Sequence, residues 1–558
     1  MNTILKTFGL ILIGLTLVAC GSDGPASFLS GKQVTVSVVY GSEKKAWLEP
    51  LVAEYNAAQN QTADGSTIVI EATPLGSIEA IEAILAGQIQ PTVWSPASSV
   101  YLPVAEERWQ AQFNSPLTTS PPQDLVLSPV VIAMWRPMAE ALGWPNEPIG
   151  WADIAALAIS EDGWAGYGYP EWGRFKFGHT HPDFSNSGLV AILAEAYAGS
   201  SKQRGLNQDD LLKPELETFM QQVESSIIHY GSSTGFFAER MFERGPSYLS
   251  AAVLYENLVV EQEQKRLTGQ SGQLPVVAIY PEEGTFWTNN PYVILNGSWV
   301  TEPQREAAQQ FEAFLLDQAQ QKRAINLGFR PADPAISLGS PLDAEHGVDP
   351  GQPQTILEVP PADVIQEVQY LWRQAKRPVD VVLVVDVSGS MAGDKISAVR
   401  DSLAQFISLL DNRDRLQIVL FNDQITPLSE LSPLADKREE LTRRVSGLVE
   451  GGDTSLYDAT VTAYNDLETN GDPNNIRAVV VLSDGEDTSS SRGLPEVLSE
   501  LGAGAEEGGN AIKVFTIAYG DGADTRSLSE IAEPTGGKQF AGDPATINQV
   551  YAEIALFF

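Results

Sequence analysis

The run "VDVVLVVD" (Val379–Asp386) limits this chain more than any other stretch, because six of its eight residues are Val or Leu. A strand apolar on both faces belongs in the middle of a sheet covered on both sides, not at a solvated edge. It is followed by the small, oxygen-bearing "VSGSM" and then by "KISAVRDSLAQFISLL", where Ile396, Val399, Leu403, Phe406 and Leu410 fall on one helical face. The alternation continues through "RLQIVLF", "ADKREELTRRVSGL", "LYDATVTAYNDLE", "IRAVVVLS" and "AIKVFTIAYG". Strand and helix in turn predict a doubly wound, Rossmann-like α/β sheet, whose ligands bind beyond the carboxyl ends of the strands.

The part before it alternates too. "VTVSVVY" precedes "KKAWLEPLVAEYNAAQ", and "TIVIEAT" precedes "SIEAIEAILAGQ"; then come "SPVVIAMWRP", "PVVAIYP" and one long amphipathic stretch, "QREAAQQFEAFLLDQAQQKRAINLG". "RPADPAISLGSPLDAEHGVDPGQPQ" reads as an ordered surface excursion. A helix at "PADVIQEVQYLWRQAK" sets Val364, Ile365, Val368, Leu371 and Trp372 on one face and stops at Pro378. The predicted division is a leader at 1–20, a Gly/Ser/Pro tether at 21–33, a two-lobed α/β domain at 34–376 and a second α/β domain at 377–558.

Three polar clusters fall at the expected strand ends of the second domain. They are Asp386, Ser388 and Ser390; Thr454 in "EGGDTSLYDA"; and Asp484 in "VVVLSDGEDT". Alternate residues of an extended loop point the same way, so the first three can converge on one point. Carboxylate and hydroxyl oxygens suit a hard cation, Mg²⁺ before soft metals, with Ca²⁺ or Mn²⁺ as alternatives. A lone D-x-S-x-S is more often a strand-end turn; three clusters together carry the metal reading. Here the sequence resembles the von Willebrand factor A family, whose D-x-S-x-S, distant Thr and later Asp match Asp386, Ser388, Ser390, Thr454 and Asp484. The resemblance implies a metal-ion-dependent adhesion site (MIDAS). In it the serines and Thr hold the ion, the aspartates act largely through waters, and a partner protein supplies an Asp or Glu.

Residues 34–376 resemble bacterial extracellular solute-binding proteins related to molybdate receptors. The phrases that carry this are "PTVWSPASSVYL", "SPVVIAMWRPMAEALGWP", "GHTHPDFSNSGLVAILAEAYA", "YGSSTGFF" and "AIYPEEGTF". The resemblance implies two lobes joined by crossing strands, which the sequence suggests near 127–133 and 276–280, closing on a ligand by hinge motion. "SPASS", "FSNSG" and "GSSTG" put Ser95, Ser98, Ser185, Ser187, Ser233 and Thr234 at expected helix starts, where backbone N–H groups meet anions or polar groups. Taken singly, each is more often a helix cap; the three together tilt the reading toward ligand contact. A small-molecule or oxyanion solute held by neutral donors is the expectation, since no Arg/Lys cluster lies in these loops. Trp135, Trp144, Trp151, Trp164 and Trp172 are expected in the core rather than stacked on sugars. His179 and His181 are read as loop packing, with a zinc site the lesser alternative.

The formal net charge of −37, from 72 acidic and 35 basic residues, argues against nucleic acid as a partner. The start, "MNTILKTFGLILIGLTLVACGSDG", has Lys6, an apolar run too short to span a bilayer, and the sole cysteine, Cys20. "LVAC" resembles the bacterial lipobox, which implies a lipoprotein acylated at Cys20, extracytoplasmic and touching the membrane only through that anchor. "GSSTG" also matches G-x-S-x-G with Ser233 as nucleophile, but "SSIIHY" is a poor strand and only His346 lies downstream. Catalysis is therefore not expected. The overall expectation is a membrane-anchored binding protein that joins a solute module to a metal-dependent protein-binding module. The alternative is an ABC-transporter-type receptor whose last domain only localises it.

Overall fold

The structure is a computed structural model and describes residues 32–231, 233–435, 437–505, 512–555 and 557. The leader, the lipobox and Cys20 lie outside the described residues. No helix among the described residues is long and apolar enough to cross a membrane.

Three sheets carry the chain. In the first lobe, strand Gln33–Tyr40 pairs in parallel with Thr67–Pro74 and Val93–Ser95, and Pro291–Ile294 joins antiparallel. The second lobe is built on Val126–Trp135, flanked antiparallel by Ala251–Tyr255 and Val276–Ile279. The last domain has five parallel strands in the order Arg415–Phe421, Val379–Asp386, Ile476–Ser483, Lys513–Tyr519 and Gln539–Gly542. The short antiparallel strand Ile425–Pro427 closes one edge. Val379–Asp386 is buried along its whole length, as its unbroken apolar run demands.

The lobe crossings differ from the expectation. Residues 127–133 belong wholly to the strand Val126–Trp135 of the second sheet, and Val276–Ile279 is another strand of that same sheet. The chain leaves the first sheet after Gln123–Asp124 and returns between Trp287–Thr288 and Pro291–Ile294. A third passage enters the second sheet at Arg330–Pro331. Asn290 marks the return: its backbone is left-handed (φ 46°), and its amide donates to the carbonyls of Val126 (2.9 Å) and Thr288 (3.3 Å). A short carboxamide tolerates that conformation, which a branched residue would not.

The long amphipathic stretch is two helices, Glu302–Leu315 and Gln318–Asn326. The break follows from Asp317, whose carboxylate accepts from Ala319 N at 2.9 Å and caps the second helix. Between 332 and 354 the chain is turns with one short 3-10 helix, Ala344–His346, and the stretch is anchored by the buried pair of Arg330 and Glu256 at 2.6 Å.

The last domain packs directly on the second lobe. Arg377 donates to Ile227 O (3.0 Å) on one side and to Asn475 O (2.9 Å) on the other. Tyr230 N–H donates to Phe557 O (3.3 Å), and the Phe557 ring lies 5.0 Å from Phe515. His229, in the same seam, donates to or accepts from the Tyr248 hydroxyl. Burial, with the nearby Lys513, Arg244 and Arg240 charges, pulls the His229 pKa to about 3 and keeps its ring neutral. One apolar core runs without a break from the second lobe into this domain.

Candidate functional site

At the carboxyl end of the third sheet, the neighbouring strands Val379–Asp386 and Ile476–Ser483 bring two acidic loops side by side. The Ser483 hydroxyl donates to Asp386 Oδ2 at 2.7 Å, and Ser388 N–H donates to Asp386 Oδ1 at 2.8 Å. That second bond curls the loop so that Ser388 Oγ and Ser390 Oγ lie 3.0 Å apart. Ser390 Oγ in turn donates to Asp484 Oδ1 at 2.7 Å. Asp386, Ser388 and Asp484 are buried, whereas Ser390 is exposed, so the cluster opens to solvent on one side.

The third segment is stitched to the same rim by backbone. Gly389 N–H donates to Gly452 O (3.0 Å) and Gly451 N–H to Val387 O (2.8 Å). Gly452 has φ 87°, and a Cβ there would sit 2.2 Å from Asp423 Oδ1, so this contact needs glycine. Thr454 O accepts from Thr488 N (2.9 Å) and Ser489 N (3.1 Å), in the loop that follows Asp484. Thr454 is buried. Thus Asp386, Ser388, Ser390 and Asp484 form one hydrogen-bonded cluster, and the Thr454 backbone is tied to the loop that follows Asp484.

Burial pushes the Asp386 carboxyl above the ordinary carboxylate range, and the Asp484 charge adds to the push. The rim therefore calls for positive charge. Lys395 supplies one, its Nζ 2.6 Å from Asp484 Oδ2. Sequence reading passed over Lys395, because a lysine in the first turn of a helix ordinarily reads as solvated. The candidate donors are carboxylate and hydroxyl oxygens, with the Ser388–Ser390 hydroxyl pair bonded to Asp484 and the Ser388 amide bonded to Asp386. That set fits a hard divalent ion.

Between the lobes lies a second polar cluster. Ser98 Oγ donates to Asn186 Oδ1 (2.5 Å), joining first lobe to second, and Asn186 Nδ2 donates to the Tyr255 hydroxyl (3.0 Å). Thr234 Oγ1 donates to Ser187 Oγ (2.8 Å), which also meets Thr180 Oγ1 (2.7 Å); Ser185 Oγ is 3.4 Å from Thr234 Oγ1. The capping explanation holds for Ser98, whose hydroxyl accepts from Val100 N (3.3 Å). It fails for Ser185 and Ser233, which stand at N-cap positions without capping through their side chains. Ser95 Oγ is buried and has no partner among the described residues.

Three residues of this cleft were not foreseen. Asn186 and Tyr255 close the hydroxyl network, and Lys44, fully buried, donates to Glu43 Oε1 (2.7 Å), Asn290 Oδ1 (2.9 Å) and Pro96 O (3.3 Å). Burial pulls the Lys44 pKa down, and the Glu43 carboxylate opposes that pull. The pair cancels in charge, leaving hydroxyls and amides as the cleft's main offering.

Ser233 precedes the helix Thr234–Arg244, and among the described residues the β contact just before it is an isolated bridge from Gly231 to Thr180. His346 sits in another turn with Asp343 as its partner (2.7 Å). Trp135, Trp151 and Trp164 are core, while Trp144 and Trp172 are half-buried against it. His181 packs edge-on to Trp372 (5.0 Å) and Tyr230 (5.9 Å). His179 turns instead to Glu224 (3.0 Å).

The family model for bacterial extracellular solute-binding proteins matches residues 36–330, and that for the von Willebrand factor type A domain matches residues 380–551. An uncharacterised protein of Mycobacterium tuberculosis is 24% identical over 336 residues, covering 54% of this chain and 43% of that protein. The chain thus spans less than half the length of the curated relatives it first matches. Among solved structures, a periplasmic thiamin-binding protein is 14% identical (64% of this chain, 99% of that one, TM-score 0.45). A von Willebrand factor type A protein from Catenulispora acidiphila is 20% identical (32% and 42%, TM-score 0.29).

Proposed function

Because the chain belongs to the family of bacterial extracellular solute-binding proteins, we propose that it is an extracytoplasmic receptor, lipid-anchored at Cys20, that couples a solute cleft to a metal-dependent protein-binding domain. The cleft between the lobes takes a small polar solute or an oxyanion through neutral donors. Ser98, Asn186, Ser187, Thr234 and Tyr255 supply those donors, with Ser95, Ser185 and Ser233 beside them. Absence of net positive charge there favours hydrogen bonding over ion pairing as the source of selectivity.

In the last domain, Ser388, Ser390 and Thr454 would hold a divalent ion, Mg²⁺ foremost, with Asp386 and Asp484 balancing its charge. Such an ion supplies an electrophilic position that a partner's Asp or Glu carboxylate can take. The chain's own residues do the rest: Ser483 and the Ser388 amide fix Asp386, and Lys395 holds Asp484 in place through an ion pair of 2.6 Å. The observation that supports the reading is the set of hydrogen bonds that gathers these groups: the Ser388 amide on Asp386, the Ser388 hydroxyl against that of Ser390, and the Ser390 hydroxyl on Asp484.

A thermal-shift screen of polar solutes and oxyanions on the anchored chain's soluble portion, with and without EDTA, tests it. A solute at about 100 times its Kd should raise stability by about 2.7 kcal/mol. The Asn186→Ala variant should lose that rise, and EDTA should leave it in place. A solute response that survives Asn186→Ala and vanishes in EDTA would move the solute out of the cleft. Loss of all partner binding other than to a membrane permease would favour a plain transport receptor instead.

A further inference from the structure

We propose that His179, Glu195 and Glu224 form a second divalent-cation site, one imidazole and two carboxylates, buried inside the second lobe. All three residues are completely buried, and one ligand atom from each lies within 4.8 Å of the others. They come from three elements: the segment after strand Phe177–Gly178, the helix Asn186–Gly199 and the end of the helix Pro214–Glu224.

The hydrogen bonds around them set up a charge problem. His179 Nδ1 is 2.7 Å from Thr180 O, and a carbonyl only accepts, so that nitrogen carries a proton. In the neutral ring Nε2 then has a lone pair, and it faces Glu224 Oε1 at 3.0 Å. Two lone pairs at that distance need a positive centre between them. Glu224 Oε2 is engaged by the Tyr230 hydroxyl at 2.6 Å. Among the described residues neither oxygen of Glu195 has any hydrogen-bond partner.

Buried polar groups without partners are costly, and buried charges more so. One proton can bridge His179 to Glu224, yet it leaves Glu195 unpaired. A divalent ion satisfies all three donors at once, and its two charges balance two carboxylates. Ligand bonds of about 2.1 Å place two donors roughly 3.0–3.4 Å apart, the spacing already present between His179 and Glu224. Thr180 O on Nδ1 and Tyr230 OH on Glu224 are the outer partners that orient a metal-bound His and carboxylate.

An imidazole donor separates this site chemically from the all-oxygen rim, favouring Zn²⁺ or Mn²⁺ over Mg²⁺. Its place gives it a structural role. It would tie the helix that begins with the cleft residues Asn186 and Ser187 to the segment carrying Tyr230, whose N–H reaches Phe557 of the last domain. In sequence His179 stands beside His181, whereas Glu195 and Glu224 lie 16 and 45 residues downstream, a separation that only the packing of three elements closes.

The test uses the full chain carrying Asp386→Ala, which removes the rim site. Metal content by mass spectrometry is read as isolated and after refolding with Zn²⁺ alone or Mn²⁺ alone. One equivalent of ion is expected, falling at least tenfold on adding Glu195→Gln or His179→Gln, together with a lower melting temperature. If the Asp386→Ala chain takes up neither ion and Glu195→Gln melts at or above its parent, Glu195 is a protonated acid and the site does not exist. Should the Gln variants fail to fold, the metal content of the Asp386→Ala chain alone decides. Metal in that chain also stands whether or not the rim binds Mg²⁺.

Discussion

Asp386→Ala is expected to abolish divalent-ion-dependent capture of carboxylate-bearing partners while leaving the solute response of the cleft unchanged. Asp386 is the best-fixed member of the rim, held from both oxygens by Ser483 and the Ser388 amide. Its loss removes half of the charge that would neutralise the ion and releases the turn that sets Ser388 against Ser390. Outer partners of metal sites cost about 10–100-fold in affinity when removed, and a residue that both balances the charge and shapes the loop should exceed that. The readout is binding of an acidic-peptide surface with Mg²⁺ and with EDTA. Capture by Asp386→Ala equal to that of the parent, or capture unaffected by EDTA, would end the adhesion reading.

The second large effect lies at the seam. Trp372→Ala should destabilise the second lobe by about 3–5 kcal/mol, the range for truncating a large aromatic in a core. Trp372 is 1% exposed, on the helix Ala362–Ala375, and its ring meets His181 and Tyr230 nearly edge-on, at 81° and 80°. Four residues after that helix the last domain begins with the strand Val379–Asp386. Because one core serves both parts, the loss should lower the unfolding midpoint of the last domain as well. Trp372→Phe keeps most of the contact and should cost less than half as much. A loss under about 1 kcal/mol for the alanine variant would mean that the seam is not packed as described.

Where the sequence spoke clearly, it did so through burial. Val379–Asp386 and Ile476–Ser483 are apolar on both faces because helices cover both sides, so strand and class were both legible. The rim residues were legible because Asp386 and Asp484 directly end or follow those strands. The crossings were not. Val276–Ile279 has the apolar character of a connecting strand, whereas the actual return turns on Asn289 and Asn290, whose polarity reads as an ordinary loop. Asp317 split a helix whose periodicity runs on through the break. Lys395 escaped notice because only the fold sets its ammonium group beside Asp484, and Lys44 because only the fold buries it with its sequence neighbour Glu43. Glu195 escaped for the same reason: a glutamate in an Ala-rich helix signals nothing until three elements are packed around it.

The most direct measurement is a calorimetric titration of the whole chain with Mg²⁺, alongside the Asp386→Ala and Asp484→Ala variants. The account predicts a saturable heat for one Mg²⁺ in the parent chain, absent from both variants. A parent chain that takes up no divalent ion at millimolar concentrations, or variants that bind it as the parent does, would contradict the claim that these loops meet around a cation.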